Sequence, residues 1–223
     1  MYKENIIYEL AENGYVFLQN FCPGKSTLET AALVGKLSSN NFQIETLQKL
    51  TPKYKNSHNE NFYHGNFGCE EYPAHTDLAH WSNPPRYLML RAKKGTFEVQ
   101  NHIYCKNGSL KLLPEKILKS AVFVSRKNKS YVIPLAMQFA RSLPYSIRWD
   151  SIFLMPANKP AFDCAEIIKS SDFKNLRAGF KLSDEFDTLL IDNWQNLHGR
   201  SCVPKKSIDR IIERVYLDLI YES

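Results

Sequence analysis

The sequence has no CxxC pair, no long apolar run and no internal repeat, and each absence removes a class of protein. Its five cysteines (Cys22, Cys69, Cys105, Cys164 and Cys202) are odd in number and scattered. A zinc ribbon or a thioredoxin-like redox motif needs paired spacing, so neither is expected. No uninterrupted apolar stretch nears the roughly 20 residues of a membrane helix. Met1 to Leu10 carries Lys3, Glu4 and Glu9 and lacks the apolar core of a signal peptide. The expectation is a reducing, cytoplasmic setting without a membrane partner. No segment is biased enough for a linker or a disordered tract.

What is present is ordinary globular composition: 223 residues, 43% hydrophobic and 23% charged. That length suits a single domain over residues 1–223 with a substantial core, since even a 150-residue domain buries roughly 70% of its unfolded surface. The formal charge is +6 and the pI about 9.0. A basic balance suits nucleic acid or acidic partners. Here the lysines are spread along the chain, and the densest stretch, Arg126 to Lys129, reads as a short turn. A solvated surface explains the charge, and an anionic small-molecule substrate would suit it as well.

Helical spacing over Ile6–Leu10 stops at Asn13-Gly14, and Tyr15 to Leu18 reads as a buried strand. Ser26 and Glu29 form a capping-box pattern, predicting a helix over Thr27–Leu37 with Leu28, Ala32, Leu33 and Leu37 on one side. Residues 38–66 are polar and aperiodic, as a functional lid can be. Further strands are expected at Tyr87–Leu90, Tyr131–Ile133, Ile152–Leu154, Thr188–Ile191 and Val215–Leu217. Helices are expected at Pro114–Ser120 and Cys164–Ser170. Many short strands after a helical start point to a mainly β sandwich or barrel with flanking helices.

The informative segment is Pro73-Ala74-His75-Thr76-Asp77-Leu78. Residues i and i+2 of a strand share a face, so His75 and Asp77 can aim an imidazole and a carboxylate at one ion. A distant histidine would complete the two-histidine, one-carboxylate set that leaves coordination positions open, as non-haem Fe(II) oxygenases require. An HxD triplet alone is weak. The stretch Asp192-Asn193-Trp194-Gln195-Asn196-Leu197-His198-Gly199-Arg200 supplies the third donor, His198, just past the Thr188–Ile191 strand. Arg210 follows twelve residues later.

The His-Thr-Asp triplet, Asn83-Pro84-Pro85, the Asp192-Asn193-Trp194 … Leu197-His198-Gly199-Arg200 stretch and the late arginine together resemble the TauD/TfdA family. These are taurine dioxygenase-like, Fe(II)- and 2-oxoglutarate-dependent oxygenases, and the nearest branch contains clavaminate synthase and γ-butyrobetaine hydroxylase. Gly14 to Leu18 is similar to that family's opening strand. The resemblance implies a double-stranded β-helix, or jelly roll, with helices outside. It implies Fe(II) held by His75, Asp77 and His198, with 2-oxoglutarate and O₂ as co-substrates and succinate and CO₂ as products. Its arginine that clamps the 2-oxoglutarate carboxylate corresponds to Arg210, with Arg214 the alternative on the same strand face. A guanidinium fork suits a carboxylate because it offers two parallel hydrogen bonds. The family's Gly-Gly-x-Thr turn is matched only in part, by Lys94-Gly95-Thr96, which makes Thr96 a candidate contact. A carboxylate at Asp77 argues against halogenation, because related halogenases have a small residue there.

Around this set, His80 is expected to turn away and Trp81 to pack. Tyr63 and His64 can line the pocket or serve structure alone. Arg200 is open between orienting a ligand, binding an anion and forming a salt bridge, and Arg86 is expected to begin a strand. Cys69 and Cys202 are expected to be small buried groups. The expected reaction is oxidation, in the first place hydroxylation, of a C–H bond in a small polar or amino acid-like metabolite. The rival readings are a nucleic-acid-modifying dioxygenase, a non-catalytic binding module of the same fold and a zinc hydrolase.

Overall fold

Gly14, at a φ of 76°, stops the first helix and turns the chain into its first strand. In the computed structural model, which describes residues 2–38, 45–55, 63–126, 135–140, 143 and 146–222, α1 is Tyr2–Asn13 and β1 is Tyr15–Leu18. The Gly14 N–H bonds to the Leu10 carbonyl, closing the helix with a residue that tolerates the left-handed region. The next helix, α2 (Thr27–Val34), opens with the expected capping box between Ser26 and Glu29. It ends three residues earlier than predicted. Gly35–Leu37 forms β2 instead, paired to the last strand, and Leu33 lies exposed while Thr27, Thr30, Ala31 and Val34 are buried.

The remaining elements are β3 (Gln48–Leu50), α3 (Tyr63–Phe67), β4 (Tyr72–His75), β5 (Tyr87–Lys94), β6 (Asn101–Tyr104), α4 (Glu115–Ser120), β7 (Val122–Ser125), β8 (Leu135–Ala136), β9 (Leu154–Pro156), α5 (Lys159–Lys169), α6 (Ser171–Asn175), β10 (Ala178–Phe180), β11 (Thr188–Asp192), β12 (Leu197–Arg200) and β13 (Ile211–Ile220). The architecture is mainly β, with antiparallel sheets and a few helices. The region read as irregular over 38–66 contains β3 and the start of α3, and its residues 39–44 and 56–62 lie outside the described residues. The strand expected at Tyr131–Ile133 also lies outside them, as does most of the Arg126–Lys129 turn. The strand expected at Ile152–Leu154 begins only at Leu154. Asp150 Oδ1 accepts from the N–H groups of Ile152 and Phe153, and so makes a turn there.

One sheet runs β1-β11-β5-β13-β2, with β3 also on β13, and a second runs β10-β6-β12-β4. They pack face to face. Leu88, Leu90 and Ala92 of β5, Leu189 and Ile191 of β11, and Ile212 and Tyr216 of β13 meet Ile103 of β6 in one buried cluster. Behind the first sheet, Ile6 and Leu10 of α1 and Ala31 and Val34 of α2 cover Met89, Leu190, Val215 and Leu217. Behind the second, α4, α5 and α6 cover Ala74, Tyr104 and Leu197 beside a small β8-β7-β9 sheet. Period-2 alternation thus gives each strand one inner and one outer face.

Candidate metal centre

His198 on β12 is the register partner of His75 on β4. Directly opposed residues of an antiparallel pair put their side chains on one face, side by side. The two imidazole centroids are 4.3 Å apart. Asp77 completes the set from the turn after β4: its Oδ1 is 3.4 Å from His75 Nε2 and 3.6 Å from His198 Nε2. All three side chains are buried, and one donor atom from each lies within 4.8 Å of the others. His198 sits within its own strand, not merely past the preceding one.

Local chemistry prepares these groups as ligands. His75 Nδ1 lies 2.8 Å from the Pro73 carbonyl. A carbonyl only accepts, so Nδ1 is the donor in this contact and Nε2 is the nitrogen turned to the centre. Burial pushes the His198 imidazole down, with His75 adding to the shift, which favours the neutral, ligating form. Burial works against the Asp77 carboxylate, yet Arg214 and the two histidines outweigh it and hold the group well below its usual range. An ionised Asp77 carboxylate and a neutral His198 imidazole, the forms a divalent ion needs, are therefore favoured before any ion arrives.

The backbone of Asp77 is held by Asn193. The Asn193 Oδ1 accepts from the Asp77 N–H, while its Nδ2 donates to the carbonyls of Asp77 and Pro85. Trp194 Nε1 donates to the Pro84 carbonyl at 2.8 Å. The Asn-Trp pair and the Pro-Pro pair, far apart in sequence, are thus two halves of one staple beside the centre. Leu78, immediately after Asp77, has a φ of 57°, a left-handed conformation costing roughly 1–3 kcal/mol outside glycine. The staple offsets that strain.

The two late arginines differ in use. Ile212, Arg214 and Tyr216 alternate onto one face of β13, and Arg210 stands in the turn just before that strand, ahead of a register shift between Ile211 and Ile212. Arg214 Nη1 donates to Asp77 Oδ2 at 2.8 Å, and its Nε and Nη2 donate to Gln48 Oε1. Arg210 is 6% exposed and forms no ion pair among the described residues. Its one side-chain contact is a long 3.4 Å approach of Nη2 to Asn101 Oδ1, and its Nε has no partner there. Burial, with Arg200 adding to it, pushes its guanidinium down to about 10. Two other buried arginines, Arg91 and Arg148, also leave Nε without a partner among the described residues. Each, however, donates through both Nη atoms at 2.5–2.9 Å, Arg91 to the carbonyls of Phe21, Cys22 and Lys25, and Arg148 to those of Ala79, Trp81 and Ser82. A buried cation is costly without a compensating partner, which makes Arg210 a candidate position for an anion.

Thr96 bonds through its hydroxyl to Ser207 Oγ at 2.9 Å, and the Arg210 N–H bonds to the Ser207 carbonyl. Thr96 is therefore linked through Ser207 to the backbone of Arg210. The Tyr63 ring lies 4.2 Å from the His75 ring and its hydroxyl donates to Asp150. His80 stands in the turn after Asp77, against Phe153 and Trp81. Arg200 donates to the carbonyls of Gly68, Glu70 and Ser201 and lies over Tyr72. Arg86 forms an ion pair with Asp192 just before β5. Cys69 is only half-buried and Cys202 is exposed, so neither is a small buried group. No helix of the described residues is long and apolar enough to cross a membrane.

No protein-family model and no curated protein sequence matches the chain. Solved structures do match in three dimensions. Asparagine oxygenase in complex with Fe(II), 2S,3S-3-hydroxyasparagine and succinate matches with a TM-score of 0.70 and 16% identity, over 97% of this chain and 78% of that one. The fold is that of non-heme iron oxygenases. A second such structure, OrfP with Fe, succinate and (3S)-hydroxy-L-Arg, matches with a TM-score of 0.64 and 16% identity, over 96% of this chain and 78% of that one. OrfP with Fe and α-ketoglutaric acid gives the same TM-score and identity, over 97% and 79%. Within this oxygenase fold, sequence reasoning missed Gln48, Asn193 as a staple, and Tyr216, whose hydroxyl donates to Asp77 Oδ2 at 2.9 Å. Only Tyr216 had a legible signal, being two residues beyond Arg214 on a strand.

Proposed function

We propose that the protein is an Fe(II)- and 2-oxoglutarate-dependent dioxygenase that hydroxylates a C–H bond of a small polar or amino acid-like metabolite. We take its fold as a clavaminate synthase-like jelly roll in one domain over residues 1–223. Its five unpaired cysteines favour a reducing, cytoplasmic setting. The carrying observation is a buried His75–Asp77–His198 donor set together with a buried arginine, Arg210, whose Nε has no partner among the described residues. In this reading the three side chains hold the iron, and the donor chemistry fits: two imidazoles and one carboxylate. Bound Fe(II) supplies the redox chemistry by which O₂ oxidises 2-oxoglutarate to succinate and CO₂ and the substrate to its alcohol.

The chain's own residues bind, orient and exclude water. Arg210 offers two parallel donors to the distal carboxylate of 2-oxoglutarate, and Thr96 a hydroxyl from the same end. Arg214, engaged with Asp77 and Gln48, is left to the metal side. Tyr63, stacked on His75 and tied to Asp150, walls the centre. Hydroxyasparagine and hydroxyarginine in the neighbouring structures support an amino acid-like substrate.

The test is anaerobic addition of Fe(II) and 2-oxoglutarate. A weak visible charge-transfer band is expected, absent in His198→Ala. Arg210→Met should need about 10- to 100-fold more 2-oxoglutarate, the value of a charged hydrogen-bond pair. No band from the unsubstituted protein sinks the reading.

A further inference from the structure

The two oxygens of Asp77 face different partners. Oδ1 is turned to the Nε2 atoms of His75 and His198, at 3.4 and 3.6 Å. Oδ2 accepts from Arg214 Nη1 at 2.8 Å and from the Tyr216 hydroxyl at 2.9 Å. We propose that Arg214 and Tyr216 form a two-donor clamp on Oδ2 that presents Oδ1 alone to the metal, making Tyr216 a positioning residue that sets metal affinity. This inference rests on the metal-binding reading above.

Three features support the clamp. First, both donors come from one strand, two residues apart, so β13 fixes their spacing. Second, the guanidinium cannot swing away freely. Gln48 Oε1 receives its Nε and Nη2 at 2.8 and 2.5 Å, so β3 holds one side of the fork while Asp77 takes the other. Third, Tyr216 is 5% exposed, and Asp77 is the hydrogen-bond acceptor of its hydroxyl.

A carboxylate capped on Oδ2 cannot rotate to offer both oxygens. Ligation through one oxygen preserves the open positions that co-substrate and O₂ require. Such outer partners are typically worth about 10- to 100-fold in metal affinity. The two donors differ in one respect. Arg214 adds a positive charge near the ion, which opposes binding, so its removal mixes a positioning loss with an electrostatic gain. Tyr216 carries no charge, and its hydroxyl reports positioning alone.

The test is therefore Co(II) binding to the whole protein, Tyr216→Phe against the unsubstituted chain, with Asp77→Ala as the ligand control. Cobalt reports both affinity and, through its visible d–d bands, coordination geometry. Tyr216→Phe is expected to weaken Co(II) about tenfold and to shift or reshape the bands. Gln48→Leu, which loosens Arg214 without touching the ion, should weaken binding in the same direction and by less. Unchanged affinity and spectrum in Tyr216→Phe would overturn the clamp and leave the metal centre standing. No Co(II) binding by the unsubstituted chain, or full binding by Asp77→Ala, would overturn the metal reading and the clamp with it. A purely structural role for Tyr216 would lower apoprotein stability without altering the bands, and that outcome also overturns the proposal.

Discussion

Asn193 touches none of the three donor atoms, yet it holds the turn that carries one of them. Its fully buried amide satisfies the N–H and carbonyl of Asp77 and the carbonyl of Pro85. Asn193→Ala removes these bonds and leaves buried backbone groups unpaired, at roughly 1–3 kcal/mol for each unsatisfied group. With three such groups the expected outcome is a loss of about 3 kcal/mol or more in urea unfolding, together with weaker Co(II) binding. A change below about 0.5 kcal/mol would contradict the staple. At this scale the His75 and Asp77 pair was legible because an HxD spacing has a geometric meaning within three residues, whereas His198 needed the resemblance of a distant motif. The use of Arg214 was not, because its carboxylate partner lies 137 positions away and only the folded chain brings them together.

Among the elements, β12 and β4 bring the two histidines together, and they meet unusually closely at Gly199. A Cβ there would lie 2.5 Å from the Tyr72 carbonyl oxygen and 3.1 Å from that of Pro73. Both atoms are backbone, so β12 would have to move off β4. Gly199→Ala should therefore cost about 1–3 kcal/mol as an overpacked contact. It should also weaken Co(II) binding by displacing His198 from His75, read by titration beside thermal unfolding. Retained affinity would show that the register tolerates the shift. Helix and strand identity was legible where a local signal was strong, as with the capping box of Ser26 and Glu29. It failed where pairing overrode propensity. Helical spacing over Thr27–Leu37 continued past Val34, but Gly35 is extended, and β2 joins β13 through hydrogen bonds the helix could not offer.

For the whole molecule, the centre joins the two sheets. His75 and His198 come from one sheet, and Arg214 and Tyr216 reach Asp77 from the other. An ion bound there should stabilise the entire fold by linkage. Metal at about 100 times its Kd should add about 2.7 kcal/mol. For a chain of this size that is about 5–10 °C in Tm. A chelator should reverse the gain, and His198→Ala should show none. Calorimetry with and without Co(II) checks this, and equal midpoints would contradict a metal-linked fold.

Local spacing was enough to read an HxD pair and a mainly β chain with outer helices, because those depend on periods of two to four residues. His198 as the third donor, and Arg210 or Arg214 as the 2-oxoglutarate clamp, came from a resemblance of motifs. Tertiary structure alone decided that Arg210 is the arginine left unpaired and that Arg214 and Tyr216 hold Asp77. It also decided that Asn193 staples the turn after β4. Those assignments depend on which distant groups satisfy one another's hydrogen bonds and charge in a buried space, and no short-range pattern encodes that.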